Sequence, residues 1–219
     1  WFDWPTGTTM PFVDLAPPSP DRLNDGRTDP GGRFVVGSLQ ADASAPPSQH
    51  LYQVGVDGST ETLFGNFMIS NGIAFDATRN RMYFADTPTE QVMVYDYDAA
   101  TGMCDNGRLF VDYRDIPGKP DGACVDSEGC YWSASVYGWA VTRFTPDGEI
   151  ERRIELPLEK PSMPAFGGPD LTTLYITTIG AGGAVPSAPG RDGFVPGSLL
   201  AIELDDCVGV ADPVFVAAG

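Results

Sequence analysis

Short apolar runs, each closed off by Gly, Pro, Asn or Asp, recur along the whole chain and predict strands joined by tight turns. Arg33-Phe34-Val35-Val36-Gly37-Ser38, Leu51-Tyr52-Gln53-Val54 and Thr60 to Phe64 form one group, with Asp29-Pro30-Gly31-Gly32 and Val56-Asp57-Gly58-Ser59 as turns and a polar loop over 40–49. A second group is Ile73-Ala74-Phe75, Arg81-Met82-Tyr83-Phe84-Ala85, Val92 to Tyr97 and Arg108-Leu109-Phe110. A third is Ala123-Cys124-Val125, Cys130 to Ala134, Ala140 to Phe144 and Ile150 to Leu156, with Thr145-Pro146-Asp147-Gly148 in the slot that Val56-Asp57-Gly58 fills earlier. The last starts near Met163-Pro164-Ala165-Phe166, continues with Leu174 to Thr178, and resumes at Ser198 to Leu204 after a Gly/Pro-rich stretch over 180–197. Ahead of them lie a short strand, Thr9 to Leu15, and the loop Ala16-Pro17-Pro18-Ser19-Pro20. No stretch carries a convincing amphipathic helical period.

One mark recurs in step with these groups. Asn24-Asp25-Gly26, Ser70-Asn71-Gly72 and Pro120-Asp121-Gly122 each lead into an apolar run, with Gly-to-Gly steps of 46 and 50 residues. That period, with strand-type sequence between the marks, is the signature of four-stranded propeller blades. The expected architecture is an all-β propeller forming a single domain over 1–219, with about four blades in this chain. An Asp-Gly or Asn-Gly pair alone reads as an Asx turn. Repetition at one phase argues for more, because a polar side chain just before each opening strand lets successive blades aim oxygens at a common centre, as a hard divalent cation requires.

Composition supports the all-β assignment: 26 glycines and 20 prolines are too many for a helical protein, while 42% hydrophobic residues suffice for a core. No run approaches the length of a membrane-spanning helix. A net charge of −17, with 13 Lys and Arg, argues against nucleic acid and anionic membranes as partners and favours cations. Cys104, Cys124, Cys130 and Cys207 show no CxxC pair and are expected as reduced, buried thiols; with no signal peptide in view, a cytoplasmic location is expected. His50 is the sole histidine, which disfavours a Ser-His-Asp triad and a His-rich zinc site. No Gly-rich loop opens a helix, so oxygen chemistry remains.

Arg22-Leu23-Asn24-Asp25-Gly26 with Gly32-Arg33-Phe34, Ser70-Asn71-Gly72-Ile73-Ala74-Phe75, Tyr95-Asp96-Tyr97-Asp98 with Thr101-Gly102, Pro120-Asp121-Gly122, and Phe166-Gly167-Gly168 with Leu174-Tyr175-Ile176-Thr177 resemble the SMP-30/gluconolactonase family in order and spacing. The resemblance runs from about residue 21 to the C-terminus. It implies a six-bladed β-propeller that binds one divalent cation in its central channel and hydrolyses sugar lactones. It implies Asn71 and Asp121 as metal ligands, Arg22 and Asn24 as substrate contacts, and a further acidic substrate contact at or near Asp42. The family's third ligand, a Glu in an EGP-type motif of the first blade, has no counterpart here. The expectation is an N-terminally incomplete chain with that Glu upstream of Trp1; within these residues Asp25 and Asp42 are the first substitutes.

In the implied mechanism the cation polarises the lactone carbonyl and Asp121 activates water, while Arg22 and Asn24 hold the sugar hydroxyls or stabilise charge on the carbonyl oxygen. All-oxygen ligation suits Ca²⁺, Mg²⁺ or Mn²⁺ and admits Zn²⁺. A metal-dependent esterase or phosphotriesterase and a calcium-binding propeller without activity are the alternatives. Tyr137 and Trp139 are candidate pocket aromatics, and 180–197 is a candidate lid or a plain blade connection.

Overall fold

Strands whose two faces are both apolar build this molecule. In the computed structural model, which describes residues 2–15, 20–180, 182 and 187–215, the strand Arg81–Asp86 sends Met82 and Phe84 into one core and Tyr83 and Ala85 into another. Successive side chains point to opposite faces, so such a strand reads as a continuous apolar run and is stable only with a layer on each side.

A small hairpin of two-residue strands, β1 (Phe2–Asp3) with β2 (Thr8–Thr9), precedes four sheets among the described residues. The first is β3 (Arg22–Thr28), β4 (Phe34–Leu39), β5 (Gln49–Val54) and β6 (Thr60–Phe67). The second is β7 (Ser70–Asp76), β8 (Arg81–Asp86), β9 (Gln91–Tyr97) and β10 (Cys104–Asp112). The third is β11 (Lys119–Val125), β12 (Tyr131–Val136), β13 (Ala140–Phe144) and β14 (Ile150–Glu155). The fourth has three strands, β15 (Pro161–Gly167), β16 (Thr173–Thr178) and β17 (Leu200–Glu203). Each is an antiparallel meander in chain order, and the first strands β3, β7, β11 and β15 lie side by side. This is the expected all-β propeller arrangement, with four blades. Three apolar clusters fill the gaps between successive blades: one around Leu51, Ile73 and Phe84, one around Tyr83, Tyr131 and Phe144, and one around Trp132, Leu174 and Ile176.

Two expectations need correction. The strand expected over Thr9 to Leu15 is confined to Thr8–Thr9; residues 10–15 carry no strand, Pro11 having no N–H to give a ladder, and Phe12 instead packs its ring edge-on to Phe215. The Pro-rich loop after it falls, over 16–19, outside the described residues. The recurring Asn/Asp-Gly marks are not turns ahead of the strands. They lie inside β3, β7 and β11, where the register to the second strand slips between Leu23 and Gly26, Asn71 and Ala74, and Pro120 and Ala123. These are β-bulges, which re-aim the side chains beside them. Gly72 shows the constraint most clearly: its φ is +62°, and the Tyr131 hydroxyl, which donates to the Gly72 carbonyl at 3.0 Å, stands 2.4 Å from where a Cβ would be.

Five residues beyond Asn24, Asn71 and Asp121 stand Asp29, Asp76 and Asp126, whose carboxylates fasten the turn into the next strand. Asp126 is the most elaborate: Oδ1 accepts from the amides of Glu128 and Cys130, and Oδ2 from Trp132 Nε1 and Arg143 Nε, both at 2.8 Å. Arg143, itself buried, also pairs with Glu128 and with Glu151. Beyond β17 the chain runs along the far ends of the inner strands. Gly209 bridges to Asp126, Asp212 pairs with Arg27 of β3 at 2.8 Å, and Phe215 packs against Phe34. Arg27 also donates to the Ala123 carbonyl of β11 at 2.9 Å.

Replacing Arg143 with Leu leaves Asp126 buried without its counter-ion, a loss of about 3–5 kcal/mol by the usual cost of breaking a buried pair. Urea unfolding should show the midpoint falling with little change in slope; an unmoved midpoint would show that the network is dispensable.

Candidate functional site

The bulges of β3, β7 and β11 turn polar side chains toward the entrance of the channel between the inner strands. There Arg22, Asn24, Asn71, Thr87, Asp121 and Lys160 line a cleft of about 410 Å³. Leu39, Ile69, Val136, Tyr137 and Ile179 supply its apolar wall.

Four of the five residues expected from sequence as site residues thus meet in one place, and a hydrogen-bonded chain joins three of them across blades. Arg22 Nη1 donates to Asn24 Oδ1 at 2.8 Å. Asn24 Nδ2 donates to Asn71 Oδ1 at 3.0 Å and to the Ser70 carbonyl at 2.8 Å. Asn71 Nδ2 donates to Thr87 Oγ1 at 2.7 Å, and Thr87 Oγ1 in turn donates to the Pro120 carbonyl at 2.8 Å, next to Asp121. Every donor in the series points the same way, so the amide orientations of Asn24 and Asn71 are fixed by their neighbours. Asn71 lines the cleft, and its Oδ1, which already accepts from Asn24, keeps one lone pair to offer.

Asp121 stands on the cleft wall, and its carboxyl is pushed up to about 7, chiefly by burial and then by the charge of Asp25. Asp25 is buried behind it on β3, accepting the Ile73 amide at 2.9 Å; burial raises its carboxyl too, against the lowering effects of that hydrogen bond and of Arg27. Two carboxyl groups thus share a poorly solvated region whose balance favours either a proton or a cation.

Asp42 is not part of this arrangement. It is exposed on the loop after β4, where its carboxylate accepts from Ser44 Oγ at 2.6 Å and the Ser44 amide at 2.9 Å, and it is not among the residues lining the cleft. Of the two candidate aromatics, Tyr137 lines the cleft, whereas Trp139 carries the Arg191 guanidinium on its ring at 4.4 Å. The stretch 180–197 lies in part outside the described residues; within it Arg191 donates its amide to the Pro157 carbonyl and Ala188 to Glu159 Oε2, both at 2.8 Å. Two cleft residues had no motif to announce them. Thr87 opens the turn that follows β8, its amide bonded to the Ile69 carbonyl, and Lys160 precedes β15, its carbonyl accepting the Ile179 amide at 2.9 Å. Thr87 follows directly on the apolar run Arg81–Asp86, a position at a blade mouth that strand phase could have flagged. Away from the cleft, Asp126, Glu128 and Cys130 also gather potential ligand atoms, but Arg143 already neutralises that group.

Residues 1–180 match the family model described as SMP-30/Gluconolactonase/LRE-like region. The chain is 37% identical over 188 residues to the pentonolactonase XacC of Haloferax volcanii, covering 85% of this chain and 64% of that protein. It is 43% identical over 159 residues to a 6-deoxy-6-sulfogluconolactonase of Pseudomonas putida, covering 72% of this chain and 54% of that one. The crystal structure of a calcium-binding regucalcin from Agrobacterium tumefaciens superposes with a TM-score of 0.86 at 28% identity, over 98% of this chain and 72% of that one. The chain therefore spans between about half and two thirds of the length of the two lactonases.

A carboxyl whose folded pKa is raised binds its proton more tightly in the folded state, so Asp121 makes stability fall as pH rises from about 4, its unfolded value, to about 7. Without added cation, melting temperature should decline over that window; Asp121→Asn should flatten the decline, and a divalent cation should flatten it by stabilising the upper end. An identical pH profile in the variant would show that Asp121 is not the group responsible.

Proposed function

Because the chain belongs to the SMP-30/gluconolactonase/LRE-like family, we propose that its cleft hydrolyses the ester bond of a sugar lactone with the help of one divalent cation. The observation that carries this reading is the meeting of Arg22, Asn24, Asn71 and Asp121 in one cleft, with the Asp121 carboxyl raised to about 7. Such a carboxyl divides itself between acid and base at neutral pH, which is what a group that takes a proton from water and returns it requires. The lactonase relatives support the reaction class.

The cleft residues fit a hard cation. Asn71 Oδ1 and the Asp121 carboxylate are oxygen donors, and the neighbouring Asp25 charge raises the gain from neutralising Asp121. When bound there, the cation would polarise the lactone carbonyl and compete with the proton on Asp121. Ca²⁺, Mg²⁺, Mn²⁺ and Zn²⁺ all suit the oxygen donors.

The protein's own groups divide the remaining work. Asp121 accepts the proton of the attacking water and later delivers it to the ring oxygen as the C–O bond breaks. Arg22 and Asn24 hold sugar hydroxyls at the rim, their geometry set by their mutual hydrogen bond. Thr87 holds the Asn71 Nδ2, so that Oδ1 is the amide atom with a lone pair left to offer. The apolar wall of Leu39, Ile69 and Val136 limits competing water.

A pH-stat assay with glucono-1,5-lactone and pentono-1,4-lactones tests the reading, run with each cation and with EDTA. Cation-dependent acid release is expected. Asp121→Asn should lower kcat by about 100-fold or more, in the usual range for losing a general base. Arg22→Ala should raise KM with cation affinity retained. Cation binding without hydrolysis of any lactone would leave a binding role and overturn the enzymatic one.

A further inference from the structure

Lys160 is one of two lysines in the chain, and it sits where lysines are rare: 2% exposed, in the wall of the cleft. Its Nζ lies 5.0 Å from the centre of the Tyr137 ring, which forms the adjoining wall.

That ring is held in place by a strained turn. Tyr137 and Trp139 have φ values of +66° and +58°, two non-glycine residues in the left-handed region on either side of Gly138. The turn is over-determined by its surroundings. Arg153 Nη2 donates to the Gly138 carbonyl at 2.5 Å and to the Pro117 carbonyl at 3.2 Å, and the Trp139 amide donates to the Glu159 carbonyl at 3.3 Å, one residue before Lys160. Gly118 presses so closely that a Cβ there would stand 2.8 Å from Gly138 Cα. The strained turn and the buried ammonium therefore converge on one place, with the ring under the charge.

The charges around the cleft explain what such a cation does. Asp121 is in the wall and Asp25 acts on it from behind, whereas Arg22 is at the exposed rim. Ring opening creates one further negative charge in this acidic setting. Water's oxygen bonds to the carbonyl carbon, the ring C–O bond breaks, the ring oxygen gains a proton through Asp121, and the acid formed releases one proton to solvent, leaving a carboxylate. We propose that Lys160 is the residue that receives this charge: its ammonium binds the carboxylate of the sugar acid, and the same negative charge as it develops on the carbonyl oxygen during attack. The inference rests on the lactone-hydrolysis reading. A neutral lactone gains little from Lys160 and the anionic transition state gains much, so the effect falls on kcat rather than KM.

The test compares Lys160→Met and Lys160→Arg with the unaltered chain, using D-gluconate and D-sorbitol as competitive inhibitors and glucono-1,5-lactone as substrate. Lys160→Met should weaken gluconate at least tenfold, leave neutral sorbitol within twofold, and lower kcat about tenfold to a hundredfold with KM little changed. Lys160→Arg should recover part of both losses. Equal weakening of gluconate and sorbitol, or gluconate affinity and kcat retained in a folded Lys160→Met protein, would overturn the assignment while leaving the proposed function intact. If Lys160→Met does not fold, Tyr137→Leu together with Lys160→Arg carries the comparison: Tyr137→Leu should weaken gluconate more than sorbitol, and equal effects count against the proposal. Absence of lactone hydrolysis by the unaltered chain would instead overturn the function itself.

Discussion

A sheet with apolar side chains on both faces cannot stand alone in water, and that single constraint shapes the molecule. The buried aromatics of β8 and β12 show it: Tyr83 and Tyr131 belong to one interblade core, Phe84 and Trp132 to the cores on either side. Each fully buried side chain of this size is worth about 2–3 kcal/mol, so stacking blade on blade is the dominant stabilising term. Stacking meanders in one rotational sense brings their first strands together, and the cleft is a by-product of that convergence. Function is therefore placed by packing before any polar residue is chosen.

Packing alone would aim inner-strand side chains into the neighbouring blades. The bulges of β3, β7 and β11 change this locally, adding one residue against the second strand so that Asn24, Asn71 and Asp121 reach the cleft. The polar groups then satisfy one another across blade boundaries, from Arg22 through Asn24 and Asn71 to Thr87. A network whose members all have partners is rigid and specific, while one unmatched member would be costly at this depth. Blade-to-blade alignment and orientation of the site are thus one physical problem with one solution.

Much of this was legible in the sequence because strand period and motif spacing are local signals. Apolar runs such as Arg81–Ala85 fall within observed strands, and the repeated Asn/Asp-Gly phase located Asn71 and Asp121 in one cleft. The same dipeptide was less informative about conformation, since a turn and a bulge make similar demands on glycine; only the partner strand decides between them. The place of Asp42, away from the cleft, was not legible because spacing after a strand says nothing about a loop that folds on itself through Ser44. Lys160 had no sequence signal, and Thr87 only its place at a strand end, for the opposite reason. Their importance comes from neighbours distant in sequence, Asn71 for one and Tyr137 for the other.

The segment beyond β17 gives the molecule two very different length scales. Within a blade, contacts close over one hairpin at a time, whereas the Arg27–Asp212 pair spans 185 residues. Loop-closure entropy grows only logarithmically, about 0.6 kcal/mol per doubling, so this long clasp is thermodynamically cheap. Kinetically it belongs to the slow class, because distant contacts form after local ones have shortened the path between them. The cleft lies at the opposite ends of the same inner strands and is lined from Arg22 to Ile179, but the hydrogen bonds that orient it, Asn24 to Asn71 and Thr87 to Pro120, each join adjacent blades. Chain topology thus puts the adjacent-blade hydrogen bonds that orient the cleft at one end of the inner strands and the longest-range clasp at the other, so the two ends differ in how far along the chain their defining polar contacts reach.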